Sequence, residues 1–210
     1  TLESVRLTLG WRRNTTNSFS FSTDGRNVKI SSELVVPTNS DVSFYKVFYQ
    51  DSIYFPLSPN FTFKLRGDLA YAGTYGKTTA VPFYEHFFAG GFGSVRGYEA
   101  NSLGERFDPV IDGSNRPIGG TSRIVSNAEL IFPMPFVEDS GNIRLSWFLD
   151  AGNVFNQNNN IKLPEFRSAT GLALSWLTPV GPLAFSFSRP LNYRDDDRTQ
   201  VFQFNLGIPI

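Results

Sequence analysis

Cysteine is absent from this 210-residue chain, and histidine occurs once, at His86. The first absence removes disulfides, thiolate metal sites and thiol redox chemistry. The second removes multi-histidine metal sites and histidine-based catalytic triads. No run of 18 apolar residues occurs, so no conventional transmembrane helix is encoded. Neither sign of charge prevails: nineteen basic and nineteen acidic residues cancel. No global field therefore draws the chain to nucleic acid or to an anionic surface. The opening Thr1-Leu2-Glu3-Ser4-Val5 has neither the basic nor the apolar region of a signal peptide. The start reads as mature or as cut from something longer. Gly76-Lys77-Thr78 does not make a phosphate loop either, because Tyr71 stands where the first glycine of GxxxxGK[ST] belongs. The glycine cluster Gly90-Gly91-Phe92-Gly93 fails as a dinucleotide fingerprint, because Arg96 stands where the third glycine belongs and no strand-to-helix context follows. No nucleotide, metal or other cofactor is expected.

What the chain has is aromatic weight: 21 Phe, 8 Tyr and 3 Trp, against a slightly negative mean hydropathy. Alternation between two faces produces that combination. Period two recurs along the sequence, and a 3.6 period hardly occurs. In Phe61-Thr62-Phe63-Lys64-Leu65-Arg66-Gly67-Asp68-Leu69-Ala70-Tyr71 the odd positions are apolar or Gly and the even ones mainly polar. Ile143, Leu145, Trp147 and Leu149 share one face, and Arg144, Ser146 and Asp150 the other, with Phe148 as the exception. The same scheme marks 183–188 and 202–208, and weaker versions span 5–12, 27–36, 42–55, 122–132 and 168–177. These nine candidate strands, within one domain and without a linker, are mostly near the nine to eleven residues that cross a bilayer at a tilt.

The connections alternate too. Ser22–Gly25, Pro56–Asn60, Pro133–Asn142 and Thr178–Pro182 are short and most carry Pro or Gly. Residues 73–120, 156–167 and 190–199 form longer, more polar segments. Short turns on one side and long loops on the other is the layout of an outer-membrane β-barrel. A soluble barrel or sandwich also alternates. The strand length, the loop asymmetry and a polar face rich in Ser, Asn, Gly and Ala but poor in Lys and Glu favour the membrane barrel. Nine is an awkward number, since such barrels close with an even count. Either eight strands close, or the chain is a piece of a larger barrel.

Residues 73–120 lack a convincing strand pattern, and structureless loops of that length are usually functional or disordered. Phe83-Tyr84-Glu85-His86-Phe87-Phe88 is too aromatic for a disordered linker, so packing against a wall is expected. With Ala89-Gly90-Gly91, Ser94-Val95-Arg96-Gly97-Tyr98 and Asn101-Ser102-Leu103-Gly104, this segment resembles the sixth external loop of the BamA family of outer-membrane protein assembly factors. Phe148 to Phe155, Leu174 to Leu183 and the closing Phe202-Gln203-Phe204-Asn205-Leu206-Gly207 resemble that family in order and spacing. The tip alone is shared with related translocation pores of the TamA and two-partner-secretion kinds.

The resemblance implies the C-terminal part of a sixteen-stranded barrel without its POTRA domains, with 8–9 strands present. It implies a place in the bacterial outer membrane and a role in inserting other barrel proteins. The partners it implies are outer-membrane lipids and lipopolysaccharide, unfolded barrel clients and accessory lipoproteins, with self-association of the isolated segment. It carries over a tip motif of Val95, Arg96, Gly97 and Tyr98, whose arginine meets wall acids at Glu129 and Asp150. Strand parity agrees, since Glu129 shares its face with Arg123 and Asn127, and Asp150 shares its face with Arg144 and Ser146. In the last strand the resemblance implies a kink and targeting signal at Phe204, Gly207 and Ile210, where an aromatic end would be usual. An enzyme is not expected, because Ser94 has no base in any recognisable motif. His86 reads as a packed or interfacial loop residue, and Asp195-Asp196-Asp197 as part of a solvated loop rather than a calcium site.

Overall fold

The computed structural model describes residues 4–37, 42–107, 115–135, 141–156, 161–179 and 181–207. Its strands, in chain order, are β1 (Ser4–Asn14), β2 (Gly25–Pro37), β3 (Phe44–Ser58), β4 (Phe61–Thr74), β5 (Gly97–Tyr98), β6 (Ser122–Pro133), β7 (Ile143–Phe155), β8 (Arg167–Thr178), β9 (Gly181–Pro190), β10 (Thr199–Gln200) and β11 (Phe202–Leu206). Nine of them form one sheet in the order β1-β2-β3-β4-β6-β7-β8-β9-β11. Each is antiparallel to its neighbour. The short strands β5 and β10 pair separately. Among the described residues β1 and β11 remain the two edges of the large sheet, and β1 is exposed along its whole length. The nine expected strands are thus present, in an open meander rather than a closed eight-stranded barrel.

The two faces are sorted as the alternation requires. On β4, Phe61, Leu65, Leu69 and Tyr71 point outward and stay exposed, whereas Thr62, Asp68, Ala70 and Ala72 are buried on the inner face. Trp147 and Leu149 on β7, and Phe202, Phe204 and Leu206 on β11, are likewise exposed. Register neighbours stack along this outer face: Phe187 with Phe202 at 4.9 Å and Phe185 with Phe204 at 5.1 Å between ring centroids. Such pairs stabilise a sheet by roughly 0.2–1 kcal/mol each. Large apolar groups outside with Ala and Ser inside is the inverse of a water-soluble barrel. A contiguous apolar exterior of this kind suits lipid.

The inner face is covered by the connection between β4 and β6. Its residues Val81, Phe87, Ala89, Val95, Tyr98 and Leu103 form one buried cluster with Val35, Phe44, Ala70, Ala72, Val125, Val154 and Ala169 of the strands. The small wall residues leave room for the larger loop side chains. Burying each Val, Leu or Phe stabilises this docking by about 1.5–3 kcal/mol. The loop carries one 3-10 turn at Phe83–Glu85 and bridges from Phe87 to Gly120 and from Arg106 to Pro117.

Three expectations need correction. The first short turn is not Ser22–Gly25: β1 ends at Asn14 and the connection runs 15–24. Its Asn and Thr side chains bond the local backbone (Asn14 Oδ1 accepts from Thr16 N at 3.1 Å, Asn17 Oδ1 from Thr23 N at 3.0 Å), which competes with extending the ladder. Phe21 turns inward beneath Arg144, whose guanidinium lies 4.6 Å from its ring. The last strand ends at Leu206, so Gly207, expected within it, follows it with φ +84° and donates its N–H to the Pro182 carbonyl at 2.9 Å. Ile208 and Ile210 lie outside the described residues. Finally, Asp197 is not solvated, as described below.

Candidate functional site

The glycines before Arg96 let the loop reverse inside the sheet. Gly91 N–H bonds the Val95 carbonyl at 3.1 Å and Ser94 N–H bonds the Gly91 carbonyl at 3.0 Å, closing a tight turn. Asn127 on β6 steadies it, its Nδ2 donating to the Ser94 carbonyl at 2.7 Å. Gly97 has φ +88°, where L side chains are strained, and an added Cβ would lie 3.2 Å from both Ala169 and Ser188. Val95, Arg96, Gly97 and Tyr98 are all buried.

At the tip, Arg96 Nε donates to Asp150 Oδ2 at 2.7 Å and Nη2 to Asp150 Oδ1 at 2.8 Å. Its backbone N–H adds a third bond to Oδ2 at 3.0 Å. Nη2 also lies 2.7 Å from Glu129 Oε1. Lys64 Nζ approaches the same glutamate at 3.6 Å. Two cations and two carboxylates therefore balance. The balance matters, because Asp150 is fully buried and Arg96 is 4% exposed. An unpaired charge there would cost several kcal/mol. The guanidinium also lies 3.6 Å from the centre of the Phe148 ring. That contact explains the one residue out of pattern on β7: Phe148 faces inward as the floor of the arginine. Gly171, its register partner on β8, leaves the ring its space.

Beyond the tip, the chain is stitched to the far end of the sheet. Gly97 and Tyr98 pair with Gln200 and Thr199. The Tyr98 hydroxyl donates to the Ser168 carbonyl at 3.2 Å, and Gln203 Nε2 on β11 donates to the Tyr98 carbonyl at 2.6 Å. Burial, with Asp197 nearby, pushes the Tyr98 phenol up to about 12. Asp197 itself accepts from Arg167 Nε, and both side chains are more than nine-tenths buried. This ion pair fastens the loop before β11 to the start of β8. Its cause is tertiary: the start of β8 and a loop 30 residues further on meet with both side chains buried.

The structure thus brings Arg96, Glu129 and Asp150 together and seats Tyr98 beside them, whereas Phe204 and Gly207 lie apart from the cluster. Phe204 is on the outer face, packed on Phe185. His86 is half-buried with Nδ1 3.0 Å from the Ile118 carbonyl. Sequence reading missed Lys64, Phe148, Gln203 and the Arg167–Asp197 pair. Only Phe148 left a signal, as an apolar residue on a polar face. Among the described residues no group of acids and histidines is arranged to hold a metal ion.

A curved antiparallel sheet with an apolar exterior and a long loop sealed into its inner face by a buried arginine defines a class of membrane barrel. Residues 1–209 match the Omp85 superfamily domain, and the chain belongs to that superfamily. It is similar to the outer membrane protein assembly factor BamA of Neisseria meningitidis, at 36% identity over 95% of this chain and 28% of that protein. BamA of Nitratidesulfovibrio vulgaris is 30% identical over 93% of this chain and 24% of its own length. A crystal structure of BamA from Haemophilus ducreyi lacking POTRA domains 1–3 superposes with a TM-score of 0.82 at 33% identity, covering 95% of this chain and 41% of that one. The chain spans well under half the length of each of these relatives.

Proposed function

We propose that this chain is the C-terminal part of an outer-membrane barrel that assembles and inserts other β-barrel proteins in a Gram-negative bacterium. The observation that carries the reading is the loop tip, where Arg96 is neutralised by Glu129 and Asp150 and seated on Phe148. The BamA relatives of Neisseria meningitidis and Nitratidesulfovibrio vulgaris are assembly factors by name, and this chain shares the fold of the Haemophilus ducreyi BamA across nearly its whole length. Unfolded barrel chains are the clients, outer-membrane lipid and lipopolysaccharide the surroundings, and accessory lipoproteins the partners.

The mechanism is strand templating. An unpaired strand edge in hydrocarbon leaves backbone N–H and C=O groups without partners, which is costly. A client strand that adds to such an edge removes the cost and enters the membrane already hydrogen-bonded. The sealed loop supports this by holding β6, β7 and the strands beside β11 in a fixed curve while the edge exchanges partners. No nucleotide, metal or nucleophile is needed for that step.

Reconstitution is the test. The full-length protein in liposomes is expected to fold an added barrel client into a protease-protected form, and Arg96→Ala to slow that folding at least severalfold. Equal rates for the two proteins would remove the loop tip from the mechanism. Failure of the unaltered protein to insert any client, accessory lipoproteins included, would overturn the assembly reading.

A further inference from the structure

The covering loop has a second charged contact, at the end opposite its tip. The turn Phe83–Glu85 places Glu85 against the outer ends of the first strands. Glu85 Oε1 accepts from Arg6 Nη2 of β1 at 2.7 Å, and Oε2 accepts from Lys46 Nζ of β3 at 2.5 Å. Arg6 Nη1 donates in turn to Glu33 Oε2 of β2 at 3.0 Å. Glu33 stands opposite Lys46 in the β2–β3 register. Four charges from three strands and the loop therefore alternate in sign and sum to zero. Lys46 is buried, with its Nζ 5.8 and 5.4 Å from the ring centres of Phe44 and Phe87. Its register neighbour on β4 is Ala72, which has no exposed surface and is small enough to admit the loop. Burial alone would raise the Glu85 carboxyl; hydrogen bonds from Lys46 and Arg6 outweigh it and hold the group below its ordinary range.

We propose that Glu85 is a positioning residue that fastens the root of the loop to β1 and β3, so that the loop is held across the sheet at both ends. The tip presents a cation to acids on β6 and β7, and the root presents an anion to bases on β1 and β3. Opposite polarity at the two ends makes the seating unique. A shifted or reversed loop would set Arg96 beside Lys46 or Glu85 beside Asp150, and like charges at close range reject the wrong register. The significance of this anchor rests on the reading of the tip as the functional centre; its existence does not.

The test separates charge from packing. In the full-length protein in lipid nanodiscs, hydrogen exchange is followed at the root, where Phe87 N–H bonds the Gly120 carbonyl at 2.7 Å and Gly120 N–H returns the bond at 2.9 Å. Lys46→Met keeps an unbranched apolar stem between Phe44 and Phe87 but removes the cation; Lys46→Arg keeps the cation. Lys46→Met and Glu85→Gln are each expected to speed root exchange roughly tenfold, as for a partly buried charge-assisted bond. Lys46→Arg should leave it near the unaltered rate, and the double variant should be no faster than either single one. Exchange at residues 94–98 should not change. Unaltered root exchange in Lys46→Met would reduce the contact to packing and overturn the proposal, as would effects that multiply in the double variant. If Glu85→Gln does not assemble, the Lys46 pair alone decides. Failure of the unaltered protein to insert a client, with the expected exchange pattern observed in the variants, would count against the assembly reading and leave the anchor standing.

Discussion

Arg96 is chosen over lysine by geometry. Its fork serves both oxygens of Asp150 and still reaches Glu129, while its plane lies on Phe148. A lysine ammonium has no plane to stack and no second arm. Arg96→Ala leaves two carboxylates with only Lys64, 3.6 Å from Glu129, to balance them, and is expected to cost about 3–5 kcal/mol of barrel stability. A double-mutant cycle with Asp150→Asn, read from urea unfolding midpoints in vesicles, should return a coupling above roughly 1 kcal/mol. Coupling near zero would dissolve the clamp. The ring under the arginine is equally sensitive. A Cβ at Gly171 would sit 2.0 Å from the Phe187 carbonyl oxygen and 2.9 Å from Phe148 Cζ. Gly171→Ala should therefore destabilise by about 1–3 kcal/mol, and intrinsic fluorescence or exchange at 94–98 would show whether the tip shifts with the ring. Much of this site was legible in the sequence, where the family resemblance paired Arg96 with Glu129 and Asp150 and strand parity agreed. Alternation sorts wall residues by parity, so Glu129 and Asp150 declare their face. Lys64 did not stand out, because a cation on an inner face is ordinary until its distance to Glu129 is known.

At the scale of elements, legibility followed local chemistry. Each long strand announced itself by period two, since inner and outer faces meet different solvents. Strand ends were harder. The segment 15–24 satisfies its backbone through Asn and Thr side chains, which strand periodicity does not encode. The two-residue strands β5 and β10 exist only because the loop tip and the last loop meet, a contact set by tertiary packing. The Arg167–Asp197 pair was hidden for the same reason and read as part of a solvated acidic run. Its removal gives a prediction of its own. Asp197→Asn retains an acceptor for the Arg194 N–H, bonded at 2.8 Å, but loses the ion pair with Arg167. The connection between β9 and β11 should then loosen, and trypsin should cut at exposed Arg194 and Arg198 several times faster. Cleavage at the unaltered rate would mean that β10 and Gln203 hold the loop without help from the charge.

Taken whole, the molecule is a sheet turned inside out, and that inversion decides what surrounds it. Large outward side chains from β1 to β11 form one exposed apolar exterior, while the inner face holds Ala, Ser, paired charges and the docked loop. Water would penalise that exterior; hydrocarbon does not. The same inversion reverses the usual rule for surface substitutions. On a soluble protein, an exposed Leu→Arg change typically stays within about 0.5 kcal/mol. Leu69 is exposed at mid-strand on the outer face of β4, between inward Asp68 and Ala70. If lipid lies against it, Leu69→Arg puts a guanidinium near the bilayer midplane, at about 2–4 kcal/mol. Leu57, exposed at the short-turn end of β3 beside Ser58, would lie near the interface, where Leu57→Arg should cost about 0–1 kcal/mol. Urea unfolding of both variants from phospholipid vesicles measures the difference directly. A large penalty at Leu69 with a small one at Leu57 is the depth dependence that only a membrane imposes; near-neutral results at both would return this exterior to water and, with it, the barrel to a soluble fold.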